Sequence, residues 1–140
     1  MAITIQQSDI EAVFGADYVA QWSTFIQGRN AVPTPARINQ AIALGQSFVN
    51  NRLAQSQYAV PLTANDPLNP PPEIVDAMAT YAGWWLWKTR GINYSKDTIK
   101  WMTEIYTRMV HQLISIKVGN YPVDAQINTM RRQVPMVAGW

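Results

Sequence analysis

Apolar residues recur at three- and four-residue steps across residues 35–57, and this period constrains the fold more than any other feature. Thr34-Pro35 is a typical helix start, because the first helical position has no partner for the N–H that proline lacks. The apolar stripe contains Ile38, Ile42, Gly45, Val49 and Leu53, and is widened by Ala41, Leu44 and Phe48. The pattern predicts an amphipathic helix over about residues 35–57.

Two further amphipathic helices are predicted toward the C-terminus. Pro72, Glu73 and Asp76 begin the first, with the proline and the acids where the helix N-terminus favours them. Its apolar face is wide enough to contact more than one neighbour, and it contains Ile74, Ala77, Met78, Tyr81 and Trp85, with Trp87 pointing elsewhere. Ser95 is predicted to cap the last helix, whose buried stripe contains Ile99, Met102, Tyr106, Met109, Leu113 and Ile116.

The N-terminal residues predict two short helical segments. Ser8 and Glu11 have the spacing of a capping box, so Ser8 should be the N-cap of a short helix that ends near Gly15. A second segment is predicted over residues 17–25, with Tyr18 and Trp22 on its buried side. Strand-like alternation is confined to residues 3–5, and residues 65–72 form a proline-rich linker. The fold class predicted is all-α, a small bundle of about four helices over residues 1–119.

Residues 120–140 are predicted to form an extended C-terminal arm. Pro122 and Pro135 interrupt any long regular element there. The end of the segment is too apolar for an ordinary solvated tail, since it contains Val134, Met136, Val137 and Trp140. We therefore expect it to lie against its own domain or against a partner. A disordered chain end is the alternative.

The composition favours contacts with other copies of the chain. Charged residues make up 14%, against about 25% in typical domains, and uncharged amides avoid like-charge repulsion in symmetric contacts. Six Trp residues favour an interface, for which we predict Trp84, Trp85 and Trp87. Residues 1–86 contain three basic and six acidic side chains, whereas residues 87–140 contain eight basic and three acidic ones. The basic half could face nucleic acid or the acidic half of another subunit.

The sequence offers little for catalysis. The absence of Cys excludes disulfides, thiolate metal sites and cysteine nucleophiles, and His111 is the single histidine. The acids in the first turns of the helices are explained by helix capping, and the chain contains no phosphate-binding or hydrolase motif. We expect no enzyme activity, no cofactor and no metal site. We also expect no signal peptide and no membrane span.

The order of short motifs resembles a known family. Phe14-Gly15 closes the first capped segment, Tyr58 to Leu62 has the form Tyr-x-x-Pro-Leu, Pro72 to Ile74 has the form Pro-x-Ile, and Ala77 to Tyr81 has the form Ala-x-x-x-Tyr. Over about residues 5–117 the chain resembles the head–tail connector (adaptor, or head-completion) proteins of tailed bacteriophages, in particular the Mu-like group. Members of this family are structural.

The resemblance implies a homo-oligomeric ring, usually of twelve copies, docked under the portal protein at the head–tail interface of the virion. Such a ring is assembled in the cytoplasm of the host bacterium. It extends the channel through which DNA passes without specific binding, and it is a platform for the next neck or tail protein. By analogy the portal-binding residues would be Met130, Arg131, Arg132, Val134, Met136, Val137 and Trp140.

A DNA-binding packaging factor, similar to the small terminase subunit, is the alternative function. Small terminase subunits are also helical and form rings. Here basic residues flank the Trp-rich stretch, namely Lys88, Arg90, Lys96 and Lys100. Basic and aromatic residues together can hold single strands of nucleic acid.

Overall fold

The computed structural model describes residues 2–24, 34–54, 60–66, 68–90 and 94–117. These ranges contain five α-helices, α1 (Gln7–Phe14), α2 (Ala16–Ser23), α3 (Pro35–Leu53), α4 (Pro72–Thr89) and α5 (Lys96–Lys117). None of the described ranges contains a β-strand, so the prediction of a small all-α bundle is confirmed. The predicted arm, residues 120–140, lies outside the described residues.

The helix starts follow the capping signals in three of four predicted cases. Pro35 and Pro72 each occupy the first turn of a helix, and Ser95 Oγ accepts a hydrogen bond from the Thr98 backbone N–H at 3.2 Å. The predicted N-cap at Ser8 is wrong, because α1 begins at Gln7 and its N-cap is Gln6, two residues earlier. There Gln6 and Asp9 form the capping box, in which the Asp9 carboxylate accepts a hydrogen bond from the Gln6 backbone N–H at 2.7 Å.

Helix α4 is the centre of the fold and packs against each of the other four helices. The prediction that it contacts more than one neighbour is therefore confirmed. It is buried on nearly every side, through Ile74, Ala77, Met78, Ala79, Thr80, Ala82, Gly83, Leu86 and Trp87. Small residues let the neighbouring helices approach closely, and α3 comes so near that Gly45 faces the Met78 backbone carbonyl.

Amide side chains on α3 hold two extended segments against the bundle. Gln46 Oε1 accepts a hydrogen bond from the Ile5 backbone N–H at 3.0 Å, and Asn50 Oδ1 accepts one from the Leu62 backbone N–H at 2.8 Å. The two segments pair with each other through the Ile3 backbone N–H, which donates to the Leu62 carbonyl at 2.7 Å. These bonds bury Ile3, Ile5 and Leu62 in the core. Two of the uncharged amides, Gln46 and Asn50, therefore stabilise the fold within one chain.

Replacing Asn50 with alanine should destabilise the fold by about 1–2 kcal/mol, because the partly buried Leu62 N–H would lose its acceptor. Urea unfolding followed by circular dichroism measures the change. Asn51→Ala is the matched control, since Asn51 is the exposed neighbour on the same helix, and it should change the free energy of unfolding by less than about 0.5 kcal/mol. Equal effects of the two substitutions would contradict the role given to Asn50.

Candidate functional site

Four half-buried rings form a continuous aromatic surface across α3, α4 and α5, and we call them the aromatic face: Phe48, Tyr81, Trp84 and Tyr106. Phe48 and Tyr81 are stacked with their ring centroids 4.2 Å apart. Trp84 lies 4.4 Å from Tyr106 and 5.6 Å from Tyr81. The rings hold one another in place through these contacts. Because all four residues are only half-buried, part of the apolar surface they form is in contact with solvent.

Two cations lie over the rings of the aromatic face. The Lys88 ammonium is 4.7 Å from the Trp84 ring, and the Arg52 guanidinium carbon is 5.0 Å from the Phe48 ring. Neither side chain has a carboxylate partner among the described residues. Burial, and secondarily the nearby Tyr106, raise the pKa of Tyr81 above its ordinary value of 10.0. The aromatic face therefore combines apolar area with positive charge.

The three tryptophans predicted at a subunit interface occupy different environments. Trp84 belongs to the aromatic face. Trp85 is half-buried, with the Arg37 guanidinium 5.2 Å from its ring. Trp87 is only 7% exposed and packs against Tyr94, at 4.9 Å between ring centroids. Trp87 therefore belongs to the core, and the expectation that it points away from the buried face is wrong, because α4 is surrounded by other helices.

A groove of about 390 Å³ lies between α1, α4 and α5. Its apolar lining is Val13, Ala77, Trp101, Ile105 and Met109, and its polar lining is Asp76, Thr80, Arg108 and Gln112. We call it the α1–α4–α5 groove. The α4 wall supplies the carboxylate and the α5 wall supplies the guanidinium, so the groove has an acidic side and a basic side.

Asp76 is exposed as a whole residue, but the groove partly shields its carboxyl from solvent. Partial burial, and secondarily the neighbouring Glu73, raise the pKa of Asp76 above the ordinary value of 3.8. Because the folded chain then disfavours the ionised form, Asp76 destabilises the fold at pH values above its folded-state pKa. This effect disappears once the pH falls below the unfolded value, where the carboxyl is protonated in both states.

Asp76→Asn should therefore raise the melting temperature at pH 7 by a small amount, no more than about 2 °C, and the gain should shrink as the pH is lowered toward 3.8. Thermal unfolding followed by circular dichroism at several pH values measures it. Glu104→Gln, at an exposed position of α5, is the control and should show no such pH-dependent gain. A gain for Asp76→Asn that grows on acidification would contradict this assignment.

Exposed aromatic residues extend the groove onto α2. The Trp101 ring lies 6.0 Å from Tyr18 and 6.3 Å from Phe14, and Tyr18 stacks on Trp22 at 5.2 Å. Tyr18 is 47% exposed and Trp101 is 37% exposed. The predicted burial of Tyr18 is wrong, because α2 is a peripheral helix whose inward positions are taken by Val19 and Trp22.

Ile99, predicted to lie in the buried stripe of α5, is also exposed, at 46%. The stripe of α5 that is fully buried begins at Met102. Residues three apart on an α-helix differ by about 60° in direction around the helix axis. Ile99, three residues before Met102, therefore lies at the edge of the stripe.

The described residues contain no cluster of three or more His, Cys, Asp or Glu side chains that could hold a metal ion. His111 is exposed on α5. None of the helices is long and apolar enough to cross a membrane, as judged over the ranges that the structure describes. The residues predicted to bind a portal protein all lie outside the described residues: Met130, Arg131, Arg132, Val134, Met136, Val137 and Trp140.

Comparisons with known proteins assign no family and no function to the chain. No protein-family model, no curated protein and no solved structure matches the chain.

Proposed function

We propose that the chain is a structural subunit of a head–tail connector of a tailed bacteriophage, a ring of about twelve copies that docks under the portal protein. In this role the ring extends the DNA channel and is the platform for the neck or tail protein below. The observation that carries the proposal is the uncovered aromatic area on two sides of α5. On one side lies the aromatic face, and on the other lie the α1–α4–α5 groove and the exposed rings of Tyr18 and Trp101.

Large exposed apolar areas mark interaction sites, and aromatic residues anchor protein interfaces. A subunit of a ring needs two such areas, because it contacts a neighbour on either side. The short motifs Phe14-Gly15, Pro72 to Ile74 and Ala77 to Tyr81, which resemble connector proteins, add support. In the structure they correspond to the end of α1 and the first half of α4.

The C-terminal residues complete the proposal. Residues 130–140 combine two arginines with Val134, Met136, Val137 and Trp140, and apolar residues beside cations suit a segment that binds a partner surface. We assign them to contact with the portal protein. Such an arm leaves the helical body free to make the ring.

Sedimentation and native mass spectrometry of the full chain test the ring. Twelve copies of the 15.8 kDa chain correspond to about 190 kDa. A chain shortened after Asn120 should keep the helical circular dichroism spectrum and lose binding to portal rings of the same phage. A full chain that stays monomeric at high concentration, or a shortened chain that binds portals as well as the full one, would overturn the corresponding part of the proposal.

A DNA-binding packaging factor is the alternative, favoured by Lys88 and Arg52 over aromatic rings. Its affinity for DNA would fall steeply with salt. The rings of the aromatic face already stack on one another, which leaves less ring surface for bases. Titration of the chain against duplex and single-stranded DNA between 50 and 200 mM salt separates the two functions, and salt-sensitive binding of high affinity would favour the alternative.

A further inference from the structure

We infer that the aromatic face of one copy packs on the α1–α4–α5 groove of the next copy, in a head-to-tail contact. This inference rests on the proposed ring and names the surfaces that form it. It follows from three properties of the described residues: the placement of the two surfaces, their charge, and the apolar area that each leaves uncovered.

The two surfaces lie on opposite sides of the buried stripe of α5. Trp101 lines the groove, and Tyr106, five residues later, belongs to the aromatic face. Five residues of α-helix rotate a side chain by about 140°. Met102, which is fully buried, marks the stripe between them. A contact between these two different surfaces is heterologous, and a heterologous contact gives a ring when the rotation between neighbouring copies closes.

The helical segments beside the two surfaces differ in charge along the sequence. The ranges 7–24 and 72–76, which contain α1, α2 and the start of α4, have five carboxylates and no Lys or Arg. The ranges 35–53 and 77–90, which contain α3 and the rest of α4, have four basic residues and no carboxylate. The carboxylates are Asp9, Glu11, Asp17, Glu73 and Asp76, and the basic residues are Arg37, Arg52, Lys88 and Arg90. Of these basic residues, Lys88 and Arg52 lie over the rings of the aromatic face, whereas Arg90 donates to the Thr24 carbonyl at the end of α2. Opposite charge on facing surfaces steers association and excludes the wrong orientation.

Lys88 and Asp76 are the pair that the contact would bring together. Lys88 stands on the exposed edge of the aromatic face, and Asp76 lies on the α4 wall of the groove without a partner among the described residues. Arg108, on the opposite α5 wall, would repel a cation and so restricts Lys88 to the α4 side. The rings of Trp84 and Tyr106 would then cover Trp101 and Tyr18 of the next copy.

A second copy fits the groove better than nucleic acid does. The α4 wall of the groove carries Asp76, with Glu73 close by, and these carboxylates repel phosphate; Arg108 is the cation of the α5 wall. The aromatic face offers both the apolar area and a cation for the α4 wall. We therefore assign the groove to the neighbouring subunit.

Disulfide trapping tests the contact, and the chain is suited to it because it contains no native Cys. In the double variant Asp76→Cys/Lys88→Cys the two positions lie twelve residues apart on α4, about 18 Å along the helix axis. A disulfide needs Cα atoms no more than about 7 Å apart, so the two thiols of one chain cannot pair. Because a Lys–Asp ion pair can hold its Cα atoms farther apart than a disulfide allows, a short thiol–thiol crosslinker is used beside mild oxidation. Either treatment that joins the two positions should give a covalent ladder of dimers, trimers and higher species on a non-reducing gel.

Matched variants make the ladder interpretable. Each single variant, Asp76→Cys or Lys88→Cys, should remain uncrosslinked, because a head-to-tail contact brings the two different positions together. Lys100→Cys/His111→Cys places two exposed thiols on α5, away from its buried stripe, and should give no ladder. A single-Cys variant that forms dimers instead would overturn the head-to-tail arrangement.

Charge exchange gives an independent measurement. Lys88→Glu and Asp76→Lys should each weaken association at least about tenfold, and the combination Asp76→Lys/Lys88→Glu should restore most of it. Circular dichroism confirms that each variant is folded. If the parent chain forms rings and neither the exchange nor the trapping responds, the ring stands and this pair of surfaces is wrong; if the parent chain stays monomeric, the proposed function itself fails.

The occupant of the groove is tested by the shortened chain. Removing residues 121–140 from the double-Cys variant should leave the ladder unchanged. Loss of the ladder would mean that the C-terminal segment makes the contact, and would overturn the assignment to the aromatic face.

Discussion

Phe14→Ala is expected to destabilise the fold by about 3–5 kcal/mol, the cost of deleting a buried aromatic side chain. The Phe14 ring is 6% exposed and packs edge-on against Trp22 at 5.3 Å between ring centroids. It also lies directly on Gly83 of α4, where a Cβ atom would overlap the ring. Typical domains are stable by about 5–15 kcal/mol, so this variant should lose a large part of its stability.

The contact between Phe14 and Gly83 predicts that Gly83→Ala changes the free energy of unfolding in opposite directions with and without the Phe14 ring. In the parent chain Gly83→Ala should destabilise by about 1–2 kcal/mol, because the overlap with the ring outweighs the higher helix propensity of alanine. In the Phe14→Ala background the ring is gone, and the same substitution should stabilise by about 1 kcal/mol. Urea unfolding of the four chains completes a double-mutant cycle.

Leu68→Ala is the control for this cycle, since Leu68 is 88% exposed, and it should change the free energy of unfolding by less than about 0.5 kcal/mol. A Gly83→Ala effect that is the same in both backgrounds would show that the Phe14 ring is not the obstacle. The packing of α1 on α4 would then need another description.

Gly45→Ala is expected to destabilise by about 2–3 kcal/mol, even though alanine is the better helix former by about 1 kcal/mol. The added Cβ would overlap the Met78 carbonyl oxygen and would lie 3.4 Å from Ala82 Cβ. Because the obstacle at Met78 is backbone, α3 and α4 have to move apart. The contact between these two helices is the most extensive in the bundle.

Two variants distinguish this backbone clash from a general effect of substitution in α3. Ser47→Ala, at an exposed position of the same helix, should be neutral or stabilising by up to about 0.5 kcal/mol. Gly45→Ala combined with Ala82→Gly should remain destabilised, since removing the Ala82 methyl group leaves the Met78 carbonyl in place. Rescue by Ala82→Gly would place the obstacle at the side chain.

The sequence by itself determined the helices and most of the buried stripe. Local signals suffice for this, because proline at Pro35 and Pro72 and the hydroxyl of Ser95 act on the adjacent backbone. Apolar spacing likewise identifies Ile38, Val49, Met102 and Leu113 as buried, since a helix places residues three and four apart on one face. The capping residue of α1 was missed because Ser8–Glu11 and Gln6–Asp9 both have suitable spacing.

Only the tertiary structure decided which apolar side chains stay in contact with solvent. Trp87, Tyr18 and Ile99 are all apolar residues on helices, yet Trp87 is buried and the other two are exposed. The difference depends on how many helices surround each position, which no local pattern contains. The same holds for the aromatic face and the groove, whose residues come from three helices each. Their exposure is a property of packing over long sequence separations, whereas helix formation is a property of neighbouring residues.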